Sequence, residues 1–212
     1  MTSATQPAGI NRLELVTYGV LWTAALVWSL GGPSDGITLF LEVLPVLIVM
    51  PLMIVTRNSF PLTPLLYRLA FIHGLVLILG GYYTYAEVPL GFWIQDWFDL
   101  TRNNYDRIGH FFQGFVPAIL AREILLRKTA LQRGKLMFYI VVSICLAFSA
   151  FYEIIEWWAA AALGMGAEDF LGMQGDEWDA QWDMCMAMVG AILAQLLLGR
   201  AHDRALARLG CA

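Results

Sequence analysis

An all-α polytopic membrane protein, with six transmembrane helices and both termini cytoplasmic, is the fold this sequence predicts. Three observations carry that reading. Of 212 residues, 59% are apolar and 14% charged, whereas a soluble domain has about a quarter charged and under half apolar. The mean hydropathy is +0.63. The apolar residues fall in runs of the roughly 20 residues that a helix needs to cross a hydrocarbon core of about 30 Å. Such an excess excludes a soluble globular domain. Ordinary Gly and Pro content and three Cys exclude collagen-like, disordered and disulfide-scaffold classes as well.

The predicted spans cover residues 13–30, 37–55, 65–83, 107–126, 136–159 and 182–198. Helix is the right element because these runs far exceed strand length, and hydrocarbon offers backbone groups no other partner. The first span has only Arg12 ahead of it and no A-x-A cleavage pattern, so it reads as an uncleaved signal anchor. Gly31-Gly32-Pro33 ends it, and Arg57-Asn58-Ser59-Phe60-Pro61 ends the second. Pro45 and Pro51 are expected to kink the second span and Pro117 the fourth. Between the third and fourth, Leu90, Trp93, Ile94 and Trp97 recur at helical spacing opposite Gln95, Asp96 and Asp99, which predicts a short helix lying on the outer surface. The expected organisation is a cytoplasmic segment at 1–12, one transmembrane domain at 13–199 and a basic cytoplasmic tail at 200–212. Cys145, Cys185 and Cys211 lack metal-type spacing, and no disulfide is expected of them.

Orientation follows from the cations. Arg12, Arg57, Arg68, Arg122, Arg127, Lys128, Arg133, Lys135, Arg200, Arg204 and Arg208 all flank one side in a six-span arrangement, leaving Arg102 and Arg107 opposite. Positive residues collect in the cytoplasm, which places that side inside. The inner cluster also suits anionic lipid head groups, and nothing in it suggests nucleic acid. The other side is aromatic: Trp28, Trp93, Trp97, Trp157, Trp158 and Trp178 sit at outer ends with Trp182 close by, as interfacial anchors do.

Ionisable residues inside a span cost about 2.5 kcal/mol or more at the bilayer centre and therefore mark candidate sites. Asp106 and His110 are four apart on the fourth span, with Gly114, Pro117, Ala118 and Ala121 continuing their face. Glu153 and Glu156 share a stripe with Ser149 and Cys145 on the fifth. Asp179 and Asp183 open the sixth, followed by Ala187, Gly190, Ala191 and Ala194. Alternating topology brings all three pairs to the outer side, where they would meet in one outward-open pocket. Gln174, Asp176 and Arg107 would line its mouth and contact substrate. Carboxylates with an imidazole suit a divalent cation such as Zn, Mn, Mg or Ca, with His110, Glu153 and Asp183 as ligands. Without a metal, crowded carboxylates raise one another's pKa, which suits acid–base catalysis or proton-coupled transport. Each pair also has an ordinary reading: Asp106 and Asp179 as helix caps, Glu153 and Glu156 as interfacial groups. Glu42 and His73 are isolated in their spans, and either could complete the pocket.

The stretches Arg102-Asn103-Asn104-Tyr105-Asp106-Arg107 with Gly109-His110-Phe111, Phe115-Val116-Pro117-Ala118, Tyr152-Glu153 with Glu156-Trp157, and Gln174-Gly175-Asp176 with Trp178-Asp179 and Asp183-Met184 resemble the YjdF family of bacterial inner-membrane proteins. That resemblance implies a multi-pass inner-membrane protein and brings no established activity with it. A fainter similarity is to VanZ-like membrane proteins, through the Asp/His helix start, the Glu-containing helix and the final Asp-rich helix leading to Gly190-Ala191; Asp183 stands where that pattern carries Asn. It implies a role in the cell envelope. The functional expectation is an envelope-facing site that binds or acts on a polar lipid or lipid-linked group. A small cation- or proton-coupled transporter and an accessory protein without catalysis remain as alternatives.

Overall fold

The computed structural model describes residues 9–34, 36–163 and 174–211. Most of the expected N-terminal segment, the last residue of the tail and residues 164–173 before the last helix therefore lie outside the described residues. Helices occupy every position where the sequence predicts one: α1 (Arg12–Ser29), α2 (Gly36–Thr56), α3 (Pro64–Tyr83), the short α4 (Pro89–Phe98), α5 (Tyr105–Lys128), α6 (Lys135–Leu163) and α7 (Asp179–Arg208). No strand occurs among the described residues. Local sequence accounts for the starts. Asn11 accepts from Leu13 N at 3.0 Å to open α1, and Thr63 precedes Pro64, whose missing N–H is no loss in a first turn. α2 runs through Pro45 and Pro51, and α5 through Pro117.

Four of these helices, α2, α3, α6 and α7, are long and apolar enough to cross a membrane. α1 and α5 fall outside that set. α5 carries Asp106, Arg107, Arg122, Glu123, Arg127 and Lys128, which composition alone scores against a span. Packing gives the physical reason for its polarity: α5 sits in the middle of the bundle, against α3, α6 and α7. Its side chains meet protein on most sides, so it has little surface that must be apolar.

The pairing of α5 with α7 is the most extensive in the molecule, and small residues make it possible. A Cβ on Gly114 would lie 2.8 Å from Ala187 Cα and closer still to the Ala187 carbonyl. One on Gly190 would lie 2.9 Å from Phe115 N and closer still to the Phe111 carbonyl. The two helices run parallel, backbone on backbone, in the small-residue manner of membrane helix pairs. α6 lies antiparallel to both. Its inward stripe is Met137, Val141, Cys145 and Ser149, all essentially inaccessible. On the far side, Trp22 of α1 donates to the Phe71 carbonyl of α3 at 2.9 Å, and Leu39 and Val43 of α2 pack over Gly81.

Trp22 is the one buried tryptophan; Trp28, Trp93, Trp97, Trp157, Trp158, Trp178 and Trp182 are exposed. The three cysteines are free. One end of the bundle gathers the start of α5, the end of α6 and the start of α7, and is acidic. The opposite end gathers Arg122, Arg127, Arg133 and the end of α7, and is basic.

Candidate functional site: a buried acid–imidazole cluster

The parallel α5–α7 pair fixes the cluster. Asp106 and His110 lie one turn apart on α5, Asp179 and Asp183 one turn apart on α7, and the close approach at Gly114 and Gly190 holds the two pairs side by side. Asp106 and His110 are each 6% exposed, and Asp183 is 2% exposed, so these groups meet inside the protein. The His110 ring lies between two carboxylates, with Nε2 3.5 Å from Asp106 Oδ1 and Nδ1 3.6 Å from Glu153 Oε1 of α6.

Asp106, His110 and Asp183 each offer a ligand atom within 4.8 Å of the other two. Two donors each about 2.1 Å from one ion lie up to roughly 4.2 Å apart, so small rotamer adjustments would suffice to seat a cation. This triplet differs from the one the spacing suggests, because Asp106 joins it and Glu153 flanks the other nitrogen of His110. The cluster also leaves buried atoms without a hydrogen-bond partner inside the protein, among them His110 Nδ1, Glu153 Oε1, Asp183 Oδ1 and Ser149 Oγ. Buried polar atoms are nearly always satisfied, so this concentration in one place fits a ligand or ion.

The ordinary alternatives for Asp106 and Asp179 do not hold. Asn104 and Trp178 occupy the N-cap positions of α5 and α7, and neither side chain caps its helix. Asp106 lies inside the first turn of α5, while Asp179 pairs with Arg102 at 2.7 Å. Gln174, Asp176 and Arg107 belong to a strap across the acidic end. Asp176 Oδ2 accepts from Arg102 at 3.2 Å and from Arg107 at 2.9 Å, and Gln174 donates to the Asn103 carbonyl at 2.8 Å. Asn103 anchors the strap: fully buried, it donates to the Val88 carbonyl at 3.0 Å and accepts from Tyr105 N at 3.0 Å. These residues tie the loop before α5 to the start of α7 and hold Arg102 over Asp179.

Below the cluster lies a cavity of about 520 Å3, within the range of ligand sites. Asp106, His110, Glu156 and Tyr152 line its polar end, and Glu42 and His73 join its wall. The remaining lining is mostly aliphatic, down to Leu62, Leu66 and Leu125 near the basic end.

A second buried network occupies the basic end, and the sequence reading passed over it. Glu123, which is fully buried, accepts from Thr63 Oγ1 at 2.8 Å, from Arg127 at 2.7 Å and from His202 Nε2 at 3.0 Å. Arg122 lies 2.8 Å from His202 Nδ1. A guanidinium only donates, so Nδ1 accepts and the His202 proton sits on Nε2, facing Glu123. Asp203 accepts from Arg122 at 2.7 Å and from Arg133 at 2.8 Å. The signal was present in the sequence: His202 continues the stripe Asp183, Ala187, Ala191, Ala194, Leu198 along α7. This network joins α3, α5 and α7 as a structural clamp.

Comparison with known proteins places the chain. It is 49% identical over 201 residues to the inner membrane protein YjdF of Escherichia coli (strain K12), covering 95% of this chain and 96% of that protein. No solved structure matches. Residues 14–204 match the family described as Predicted membrane protein (DUF2238), and the chain belongs to that family as a multi-pass protein of the inner membrane.

Proposed function

We propose that this protein spans the inner membrane six times with both termini in the cytoplasm, and that its acidic end is an envelope-facing site. There Asp106, His110 and Asp183 hold a divalent cation, and the site binds or acts on a polar lipid or lipid-linked group. The observation that carries this reading is the buried Asp106–His110–Asp183 triplet beside unpartnered buried polar atoms. Its donor set, one imidazole and carboxylate oxygens, suits Zn or Mn ahead of purely oxygen-bound ions. Glu153 and Glu156 stand beside the triplet as proton-handling groups, and the strap of Arg102, Arg107, Gln174 and Asp176 ties the start of α7 to the loop before α5 and sets Arg102 over Asp179.

Six spans are supported by helix length: the 24 residues of α5 rise about 36 Å and the 18 of α1 about 27 Å, against a core of roughly 30 Å. The segregation of cations supports the orientation. Lipid is favoured over a transported ion because the space beneath the cluster turns aliphatic toward Leu62 and Leu125, where an ion path would need polar groups.

Metal content and equilibrium binding of Zn or Mn to purified protein test this reading. Wild type is expected to bind about one equivalent, and His110→Ala and Asp183→Asn are each expected to weaken binding at least tenfold. Wild-type protein that binds neither ion, or variants that bind as tightly as wild type, would remove it.

A further inference from the structure

We infer that the site takes its lipid sideways from the bilayer, between α2 and α6. One hydrocarbon chain would lie in the cavity, and a head group that donates hydrogen bonds would rest against the acidic cluster. This rests on the reading of the cluster as a lipid site and adds the route, the seat of the chain and the head-group chemistry.

The route follows from the two helices. α2 packs on α3, and the hydroxyl of Tyr152 on α6 reaches the Leu41 carbonyl of α2 at 3.2 Å. Beyond that bridge the cavity wall includes Ile48 and Val49 from α2 and Ile144 and Phe148 from α6. Those four side chains are also exposed on the outside of the bundle. They therefore border an opening in the face that the apolar surface turns toward lipid. Pro45 lines the cavity at the same level and lacks the N–H that would close the helical ladder there.

The cavity is long enough to take one chain with room to spare. Along α5 the lining runs from Asp106 to Leu125, a rise of about 28 Å. A lipid chain spans one leaflet, about half the ~30 Å core. A water-filled cavity of this lining would be costly, because aliphatic walls give water too few partners. A hydrocarbon chain matches the walls and reaches the polar end without exposing apolar surface.

The head-group chemistry follows from the atoms awaiting partners there. Glu153 Oε1, which lies 3.6 Å from His110 Nδ1 without a hydrogen bond, and Asp183 Oδ1 are acceptors. The two cations nearby, Arg102 and Arg107, already engage Asp176 and Asp179. Even with a divalent cation on the triplet, the six carboxylates of Asp106, Glu153, Glu156, Asp176, Asp179 and Asp183 outnumber the four positive charges of that ion, Arg102 and Arg107, so ammonium or hydroxyl groups complement this end and a bare phosphate monoester is disfavoured.

Photolabelling in reconstituted bilayers tests the inference. Phosphatidylethanolamine, phosphatidylglycerol and phosphatidic acid, each with a diazirine-bearing acyl chain, are incorporated with the protein, and adducts are mapped by mass spectrometry. Expected are adducts concentrated on cavity-lining residues such as Leu66, Val46 and Leu120, several-fold higher for the ammonium or hydroxyl lipids than for phosphatidic acid. Stronger labelling by phosphatidylethanolamine would assign an ammonium, and stronger labelling by phosphatidylglycerol a hydroxyl. Val49→Trp and Ile144→Trp, both at the opening, should cut interior labelling at least fivefold. Ile54→Trp, exposed on α2 away from the opening, should leave it unchanged. Adducts confined to the outer surface, interior labelling indifferent to the opening variants, or equal labelling by phosphatidic acid would overturn the inference. Metal binding measured on the same samples separates the two readings: metal retained without interior labelling refutes the lipid route alone, and interior labelling without metal refutes the metal site alone.

Discussion

Adding one methyl group at Gly114 should part the helices that carry the site. The new Cβ would lie 2.8 Å from Ala187 Cα, while carbon atoms prefer separations of about 3.5–4.0 Å. The obstruction is backbone, so no side chain can swing aside, and α5 and α7 must separate locally by at least roughly 1 Å, and further to clear the nearer Ala187 carbonyl. Overpacking of this kind costs about 1–3 kcal/mol, and the rigid neighbour argues for the upper half. Replacing a helical glycine returns about 0.5–1 kcal/mol, leaving Gly114→Ala destabilised by about 2 kcal/mol. For a chain of this length that corresponds to a fall in Tm of about 4–8 °C, readable by thermal unfolding of purified protein in detergent. Gly19→Ala is the matched control. It also lies within a helix, but nothing stands within 4 Å of its Cβ position, so it should hold or raise Tm. The separation also moves Asp183 away from Asp106 and His110, so Gly114→Ala should weaken metal binding without touching a ligand. A Gly114→Ala protein that melts with wild type and binds metal as well would refute the argument that this contact sets the site.

Other consequences follow from the two ends of the bundle. His202→Ala removes one donor to the buried Glu123 carboxylate and the acceptor for Arg122. It should cost about 2–3 kcal/mol, measured as the same Tm shift, with metal binding at the acidic end unchanged. Asn103→Ala leaves the Val88 carbonyl and Tyr105 N–H without their partner and should cost about 1–3 kcal/mol; proteolysis should then cut faster in the loop before α5. Arg102→Gln removes the cation over Asp179, and the stranded buried carboxylate should make stability fall more steeply with rising pH than in wild type, in a pH series of melting curves. If a cation is bound at 100 times its Kd, stripping it should remove about 2.7 kcal/mol of stability, restored on adding the metal back.

Much of this was readable from the sequence because membranes impose strong rules. Long apolar runs can only be helices, so even the small surface helix α4 was legible from Leu90, Trp93, Ile94 and Trp97. The convergence of Asp106, His110, Glu153, Asp179 and Asp183 was legible too, since each lies on a stripe of small residues that marks a packed face. Which carboxylates flank which nitrogen of His110 was not, because that depends on the rotation of α6 against α5, set by contacts remote from the cluster. The sequence reads 107–126 as a span in spite of its charges, whereas length and composition alone leave α5 out of the spanning set; a helix surrounded by others need not be apolar. The Glu123–His202 clamp escaped for a related reason. Its members are far apart in sequence, and Arg122 and Glu123, at the inner end of the fourth span, read as part of a cation cluster facing lipid head groups until α7 brings His202 over them.

X-ray absorption at the metal edge of protein loaded with Zn or Mn examines the central assignment most directly. One nitrogen from an imidazole and oxygens from carboxylates, at the ~2.0–2.2 Å usual for such ligands, is the expected shell, with the nitrogen contribution lost in His110→Ala and an oxygen lost in Asp183→Asn. A shell that contains no imidazole, or one that stays the same in both variants, would show that the ion binds elsewhere and that this buried triplet is not a metal centre.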